Sequence, residues 1–245
     1  MKSALPLAGG VLAVAILWEA IGRAQLFGTT WPTLSSVLAY MIAPENRELL
    51  LAALGRTGGE ALAGLALGSI AALALASLSA LIPVLAPGLG AFASVVNGIP
   101  VIAVAGVCVL TLPRDVTPIV VAALAVSFIV FVAATAAFTT APATHRDLFT
   151  VLGASRVATF VRLDVPGAVA PILDALRSAA PASVVGAIVG EWFASEHGLG
   201  PLLVASMQNY AIAQLWAVAL SGTLLSIVLY AVLGALRGVA GARLN

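Results

Sequence analysis

An all-α polytopic membrane protein with about six transmembrane helices is the fold class this sequence predicts, and three observations predict it. Of its 245 residues, 62% are hydrophobic and only 9% charged, with a mean hydropathy of +1.13. A soluble domain carries about a quarter charged residues, so this chain has too little polar surface to cover a globule in water. Apolar segments long enough to cross about 30 Å of hydrocarbon recur along it, and each must satisfy its backbone donors internally, as helices do. Finally, a charged island interrupts the apolar pattern: Arg146, Asp147, Arg156, Arg162 and Asp164 crowd into one short stretch.

The same composition excludes several function classes. With a net charge of +1 and scattered cations, there is no clustered basic surface for nucleic acid. A single cysteine, Cys108, forms neither a disulfide framework nor a thiolate metal site within one chain, and it reads as a small buried hydrophobe. His145 and His197 have no ligand partner at helical spacing, so no metal site and no catalytic constellation is expected. No Gly-Lys-Ser or Gly-Lys-Thr phosphate loop occurs. The chain is therefore not expected to be an enzyme, and no residue is assigned as catalytic.

In chain order, the apolar run at residues 4–18 follows Lys2 and is closed by Glu19 and Arg23. It is near the lower length limit for a span, about 17 residues, and Trp18 suits an interface. A cleaved signal peptide is the alternative, but no convincing small-x-small cleavage site follows. Residues 24–59 are more polar. Trp31-Pro32 is a stop, and Thr33 caps a short helix through Ile42 whose apolar side is Leu34, Val37, Leu38 and Met41. That helix is too short to span, and serves either as a connector or in a substrate-related role.

Spans two to four are expected at residues 60–81, 91–112 and 118–138. Gly64 and Gly68, four apart, allow close helix packing. Thr117-Pro118 reads as a helix start with threonine as cap. The fifth span, residues 168–194, contains Pro171 and Pro181, which free carbonyls and bend a helix. The sixth runs from Gln214 or Leu215 to Leu236. This divides the chain into residues 1–59, a first span with a surface segment, and a core at 60–245 that includes a hairpin at 141–167.

Six spans with both termini cytoplasmic put Lys2, Arg146, Arg156, Arg162, Arg177, Arg237 and Arg243 inside, against Arg23, Arg47, Arg56 and Arg114 outside, as the positive-inside rule favours. The charged hairpin is then cytoplasmic. Apolar residues recur in it at Leu148, Val151 and Leu152 and again at Val157, Phe160 and Val161, the pattern of two short amphipathic helices. Gly153 stops the first helix, Ser155 caps the second, and Pro166 is expected to end the second and turn the chain.

An acidic residue, Gly six positions on, a short helix and then hydrophobic-x-Pro is a pattern that resembles the coupling loop of permease subunits in bacterial ABC importers. Asp147 stands where that family has Glu, Gly153 is its glycine, and Val165-Pro166 its closing pair. Leu148 and Phe149 replace the family's two alanines, so the helix–Gly–helix–Pro frame carries over but a small-residue contact does not. Asn97-Gly98-Ile99-Pro100 and Gly190-Glu191 followed by Gly198-Leu199-Gly200 extend the resemblance from about residue 95 to the C-terminus. It is nearest to permeases for nitrate, taurine, alkanesulfonates and thiamine or flavin precursors.

The resemblance implies a location in the bacterial cytoplasmic membrane and a homodimer of the permease. It also implies two cytoplasmic ATPase subunits that hold ATP and magnesium, and an extracytoplasmic binding protein that delivers the cargo. Asp147, Leu148, Phe149, Leu152, Gly153, Arg156 and Pro166 would couple the chain to the ATPase. Asn97, Pro100, Ser127, Thr135, Ser183 and Glu191 are candidates to line a translocation path. For the hydroxyls, a bond back to a helix carbonyl is the competing explanation. For Glu191 there are two readings, contact at the mouth of the path or an interfacial acid reaching water. An ion-coupled secondary transporter is the alternative class, and it would require ionisable groups near mid-bilayer and an internal repeat.

Overall fold

The computed structural model describes residues 4–244, with side chains from 8 to 238. Lys2 and the side chain of Arg243, both used above for orientation, lie outside these residues. The order of elements is α1 (Ala4–Arg23), α2 (Leu34–Ile42), α3 (Pro44–Leu81), α4 (Ala86–Gly98), α5 (Val101–Thr111), α6 (Thr117–Ala137), α7 (Ala143–Val151), α8 (Arg156–Thr159), α9 (Val165–Ala194), α10 (Leu199–Gln208) and α11 (Ile212–Leu244). Among the described residues, α3, α6, Arg156–Ala194 and Ile212–Gly238 are each long and apolar enough to cross a membrane, and the bent pair α4–α5 makes a fifth candidate. The predicted first span falls on α1, whose first four side chains are outside the described set.

Three of the expected elements differ. The second span begins at Pro44, not at residue 60, because proline fits the first helical turn and nothing after it breaks the helix. The third is not one rod. α4 and α5 meet at 89°, since Pro100 offers no N–H and forces Ile99 into an extended conformation. At the start of α6, Thr117 is not the cap; its hydroxyl donates back to the Pro113 carbonyl at 3.3 Å. The cap on α2 is as expected, with Thr33 Oγ1 accepting from the Ser36 N–H.

At the centre, α6 is packed between α3 and α9, and small residues set the spacing. A Cβ at Gly64 would lie 2.9 Å from the Ile119 carbonyl oxygen, and one at Gly68 2.9 Å from Ala123 Cα. On the other side, a Cβ at Gly186 would lie 2.7 Å from Ala122 Cα, and one at Gly190 would run into Pro118. Two seams of glycines four residues apart therefore let three backbones approach about one line of α6, where van der Waals contact replaces the hydrophobic drive that lipid removes. The first seam was visible in the sequence; the second was not noticed there.

Peripheral elements are tied by aromatic groups. Trp18 of α1 packs on Trp31 and Trp216 with ring centroids 5.6 and 4.9 Å away. Trp18 Nε1 donates to the Pro32 carbonyl at 3.1 Å, and Trp216 Nε1 to that of Thr30 at 3.0 Å.

Gly68→Ala should lower the thermal stability of the detergent-solubilised chain by about 1–3 kcal/mol through overpacking. Gly106→Ala, with no atom within 4 Å of the added carbon, should not lower it. Equal unfolding temperatures for the two variants would contradict the seam.

Candidate functional site

The hairpin is built by local chemistry. α7 ends in a reciprocal carbonyl cap: Gly153 N–H donates to Thr150 O at 3.0 Å and Ala154 N–H to Phe149 O at 2.9 Å. That geometry requires a left-handed residue, and Gly153 has φ +65°. Ser155 Oγ then accepts from the Ala158 N–H and starts α8. Contrary to the sequence expectation, Pro166 does not end this helix. A π turn at Phe160–Asp164 carries α8 into α9, shifting the bonding register so that proline's missing N–H and its ring are accommodated. Arg156–Ala194 is thus one helical run of 39 residues.

Three contacts fix the hairpin to the bundle. Arg146 Nη2 lies 2.8 Å from Asp164 Oδ1, joining α7 to the base of α9. Arg156 Nε donates to the Ala80 carbonyl at 3.2 Å, satisfying an orphan acceptor at the end of α3. The Phe160 ring packs edge-on against Phe138, 4.9 Å away, at the end of α6. Outside these anchors the tip is apolar and bare: Leu148 is 54% exposed, Val151 85% and Leu152 73%. Asp147 is also exposed and Phe149 half-buried. Arg156, expected at a polar rim, spends its Nε on α3.

A second feature is a cavity of about 600 Å³ between the α4–α5 bend, α6 and α9. Val96, Ile99, Val104, Leu124 and Val185 line it along with Pro181, one of the two internal prolines of α9, and Asn97 contributes an amide. No charged side chain belongs to this lining. α4 lines this space through Val96 and Asn97 and α5 through Val104, while α5 also packs on α6 through Ala105, Cys108 and Val121.

The sequence pattern of binding-protein-dependent transport system inner membrane components matches residues 64–245. The chain belongs to that family. A stretch of 56 residues is 43% identical to the formylaminopyrimidine transport permease protein ThiX of Halalkalibacterium halodurans. It covers 23% of this chain and 22% of that relative.

The remaining path candidates of this inner membrane component are placed differently from one another. Asn97 and Pro100 are exposed at the bend. Ser127 and Thr135 are half-buried, and Ser183 is fully enclosed. All three hydroxyls donate to carbonyls of their own helices, Ser127 to Leu124, Thr135 to Phe131 and Ser183 to Ala180. Glu191 neither reaches water nor stands at an open mouth, for it is 0% exposed. Its Oε1 accepts from the Thr57 hydroxyl at 2.6 Å and its Oε2 from the Gly200 N–H at 2.8 Å. Thr57 in turn accepts from the Leu199 N–H at 2.9 Å.

Gly198, at φ +120°, passes so close to the Glu191 carboxyl that a side chain there would collide with it. The Gly-Glu and Gly-Leu-Gly pieces are therefore two halves of one buried node joining α3, α9 and α10. Glu60, 4% exposed and 2.6 Å from Arg56 Nε, lies beside it. Sequence reading missed Thr57 and Glu60, which sit 134 and 131 residues before Glu191 with no local motif to mark them.

Thr57→Val removes one donor and one acceptor from this node without changing its shape. It should cost about 1–3 kcal/mol and loosen α10, so that a cysteine at the otherwise buried Ser206 position reacts faster with a maleimide than in the parent. Unchanged reactivity would show that α10 is held by other contacts.

Proposed function

We propose that this chain is the membrane-spanning permease subunit of an ATP-binding-cassette importer, forming the translocation path for a small solute delivered by an extracytoplasmic binding protein. The observation that carries the reading is the hairpin. A bare apolar tip, Leu148, Val151 and Leu152, projects from a base clamped to α3, α6 and α9. Exposed apolar side chains at the end of a bundle are a docking surface for another protein, and family membership supports an ATPase as that protein. Two such subunits, each with ATP and magnesium, serve a permease homodimer in the cytoplasmic membrane, with both termini and the hairpin cytoplasmic.

In this mechanism the chain's own residues transmit displacement. Leu148, Leu152 and Phe149 seat in the ATPase, with Asp147 and Arg156 at the edge, and Gly153 fixes the angle between α7 and α8. Approach of the two ATPase subunits moves the hairpins together. Because α8 is continuous with α9 through the Pro166 segment, and Arg146–Asp164 locks α7 to it, movement of the tip becomes tilt of α9. Close packing makes such a bundle bistable rather than elastic, so a small displacement at the docking end is amplified. α9 then alters the cavity at Pro181, where Asn97 and Pro100 border the path.

The cargo is of the sulfonate, nitrate or thiamine/flavin-precursor type, and the uncharged cavity favours the last. An anion leaving water for a low-dielectric space without a cation pays a large desolvation penalty, whereas a neutral heterocycle needs only an amide partner such as Asn97. The partial relative, a formylaminopyrimidine transport permease protein, points the same way. An ion-coupled carrier is less well supported. Glu60 is 21 residues from Leu81, about 30 Å along α3, a separation that supports a position toward one end of the spans.

Gly153→Asp strains the left-handed turn, and Leu152→Asp charges the tip. Each variant should still reach the membrane yet reduce ATP-driven uptake in vesicles to background. Normal uptake with the ATPase still bound would rule out the docking role.

A further inference from the structure

Between α9 and α11, away from the hairpin tip and the cavity, lies a polar cluster that the transport reading leaves unused. We propose that this cluster, Arg177 with Tyr230 and Arg237, binds the phosphate of an anionic phospholipid in the leaflet on the hairpin side. Arg237 is already paired: its Nε lies 2.9 Å from Asp174 Oδ1 and its Nη2 3.0 Å from Oδ2. That leaves Arg177 with no acidic partner among the described residues. Its guanidinium carbon stands 4.0 Å over the Tyr230 ring, and its Nε is buried without an acceptor. Gly234 makes room for it, since a Cβ there would be 3.0 Å from that Nε. The group as a whole carries one uncompensated positive charge within a spanning helix pair, and such a charge calls for a counter-ion.

Depth and surroundings indicate which. Asp174 and Arg237 border a groove of about 560 Å³ whose other walls include Ile129 and Ala133 of α6, and Arg177, about one turn along α9 from Asp174, stands outside that lining. Ala133 is one turn from Ala137, the last residue of α6, so the cluster lies within side-chain reach of the headgroup zone on the hairpin side. Tyr230 is 40% exposed, and its neighbours Ile227 and Leu236 are 56% and 55% exposed, an apolar border suited to acyl chains. A planar guanidinium fork is weakly hydrated and matches phosphate oxygens two at a time. Basic pockets between spanning helices on the cytoplasmic side hold acidic headgroups by the same chemistry. Naming that leaflet as cytoplasmic rests on the orientation proposed above; the binding itself does not.

The test is native mass spectrometry of the full-length chain, purified in neutral detergent and mixed with equal amounts of phosphatidylglycerol and phosphatidylcholine. The parent should retain phosphatidylglycerol preferentially. Arg177→Gln should reduce that preference about fivefold, Arg177→Lys should fall between, and Gly234→Ala should follow Arg177→Gln although its charge is intact. Arg114→Gln, on an exposed outer side chain, should match the parent. Equal retention of both lipids by the parent would overturn the proposal. So would full preference in a folded Arg177→Gln chain, or inorganic phosphate alone displacing the bound phosphatidylglycerol. Because none of these readouts involves uptake, failure of the importer reading and failure of the lipid site are distinguishable.

Discussion

The contact on which the rest of this structure depends is the close approach of α6 to α3 on one side and α9 on the other. In lipid, apolar side chains gain little by leaving their solvent, so helices associate through tight packing. Gly64 and Gly68 on α3 and Gly186 and Gly190 on α9 supply that packing because they present no Cβ to α6 at the crossing points. The three helices become one body, with α9 seated on α6 at Ala122 and Pro118. Anything attached to the end of α9 inherits that rigidity, and the hairpin is attached there.

Polar interactions occupy the two ends of this body and leave its middle dry. At one end Thr57, Glu191 and the Gly198–Gly200 backbone form a node in which donors and acceptors answer one another across α3, α9 and α10. At the other, Arg146 meets Asp164, and Arg156 caps α3. Breaking one partner of such a buried bond costs more than forming it gained, so the pins define which helix ends move together. Between them, α4 and α5 meet at a near-right-angled bend at Pro100, beside the uncharged cavity. The result is an apolar gap between two ends pinned by polar contacts.

Local chemistry was legible from the residues alone. The Gly153 turn, the Ser155 and Thr33 caps and the glycine spacing in α3 depend on neighbours within a few positions, and the chain order carries them directly. The exposed apolar tip was also foreseeable, because Leu148, Val151 and Leu152 share a short charged segment with nothing local to cover them. Pro166 misled, since a proline reads as a helix end unless the preceding turn widens, and whether it widens is decided by how Phe160 and Asp164 seat against Phe138 and Arg146. The same holds for Pro100, which the sequence placed inside a single span at 91–112 and which instead sits at a near-right-angled bend.

By itself, then, the sequence determined that this chain is a helical membrane protein with a hairpin of defined turn chemistry, because hydropathy and capping are short-range properties. Only the tertiary structure decided that Glu191 is an internal brace instead of a surface acid, that Thr57 is its partner, and that α8 runs on into α9 as one helix. Those outcomes depend on which backbones come within a few ångströms of each other. Residues more than a hundred positions apart acquire their meaning only when packing has brought them together.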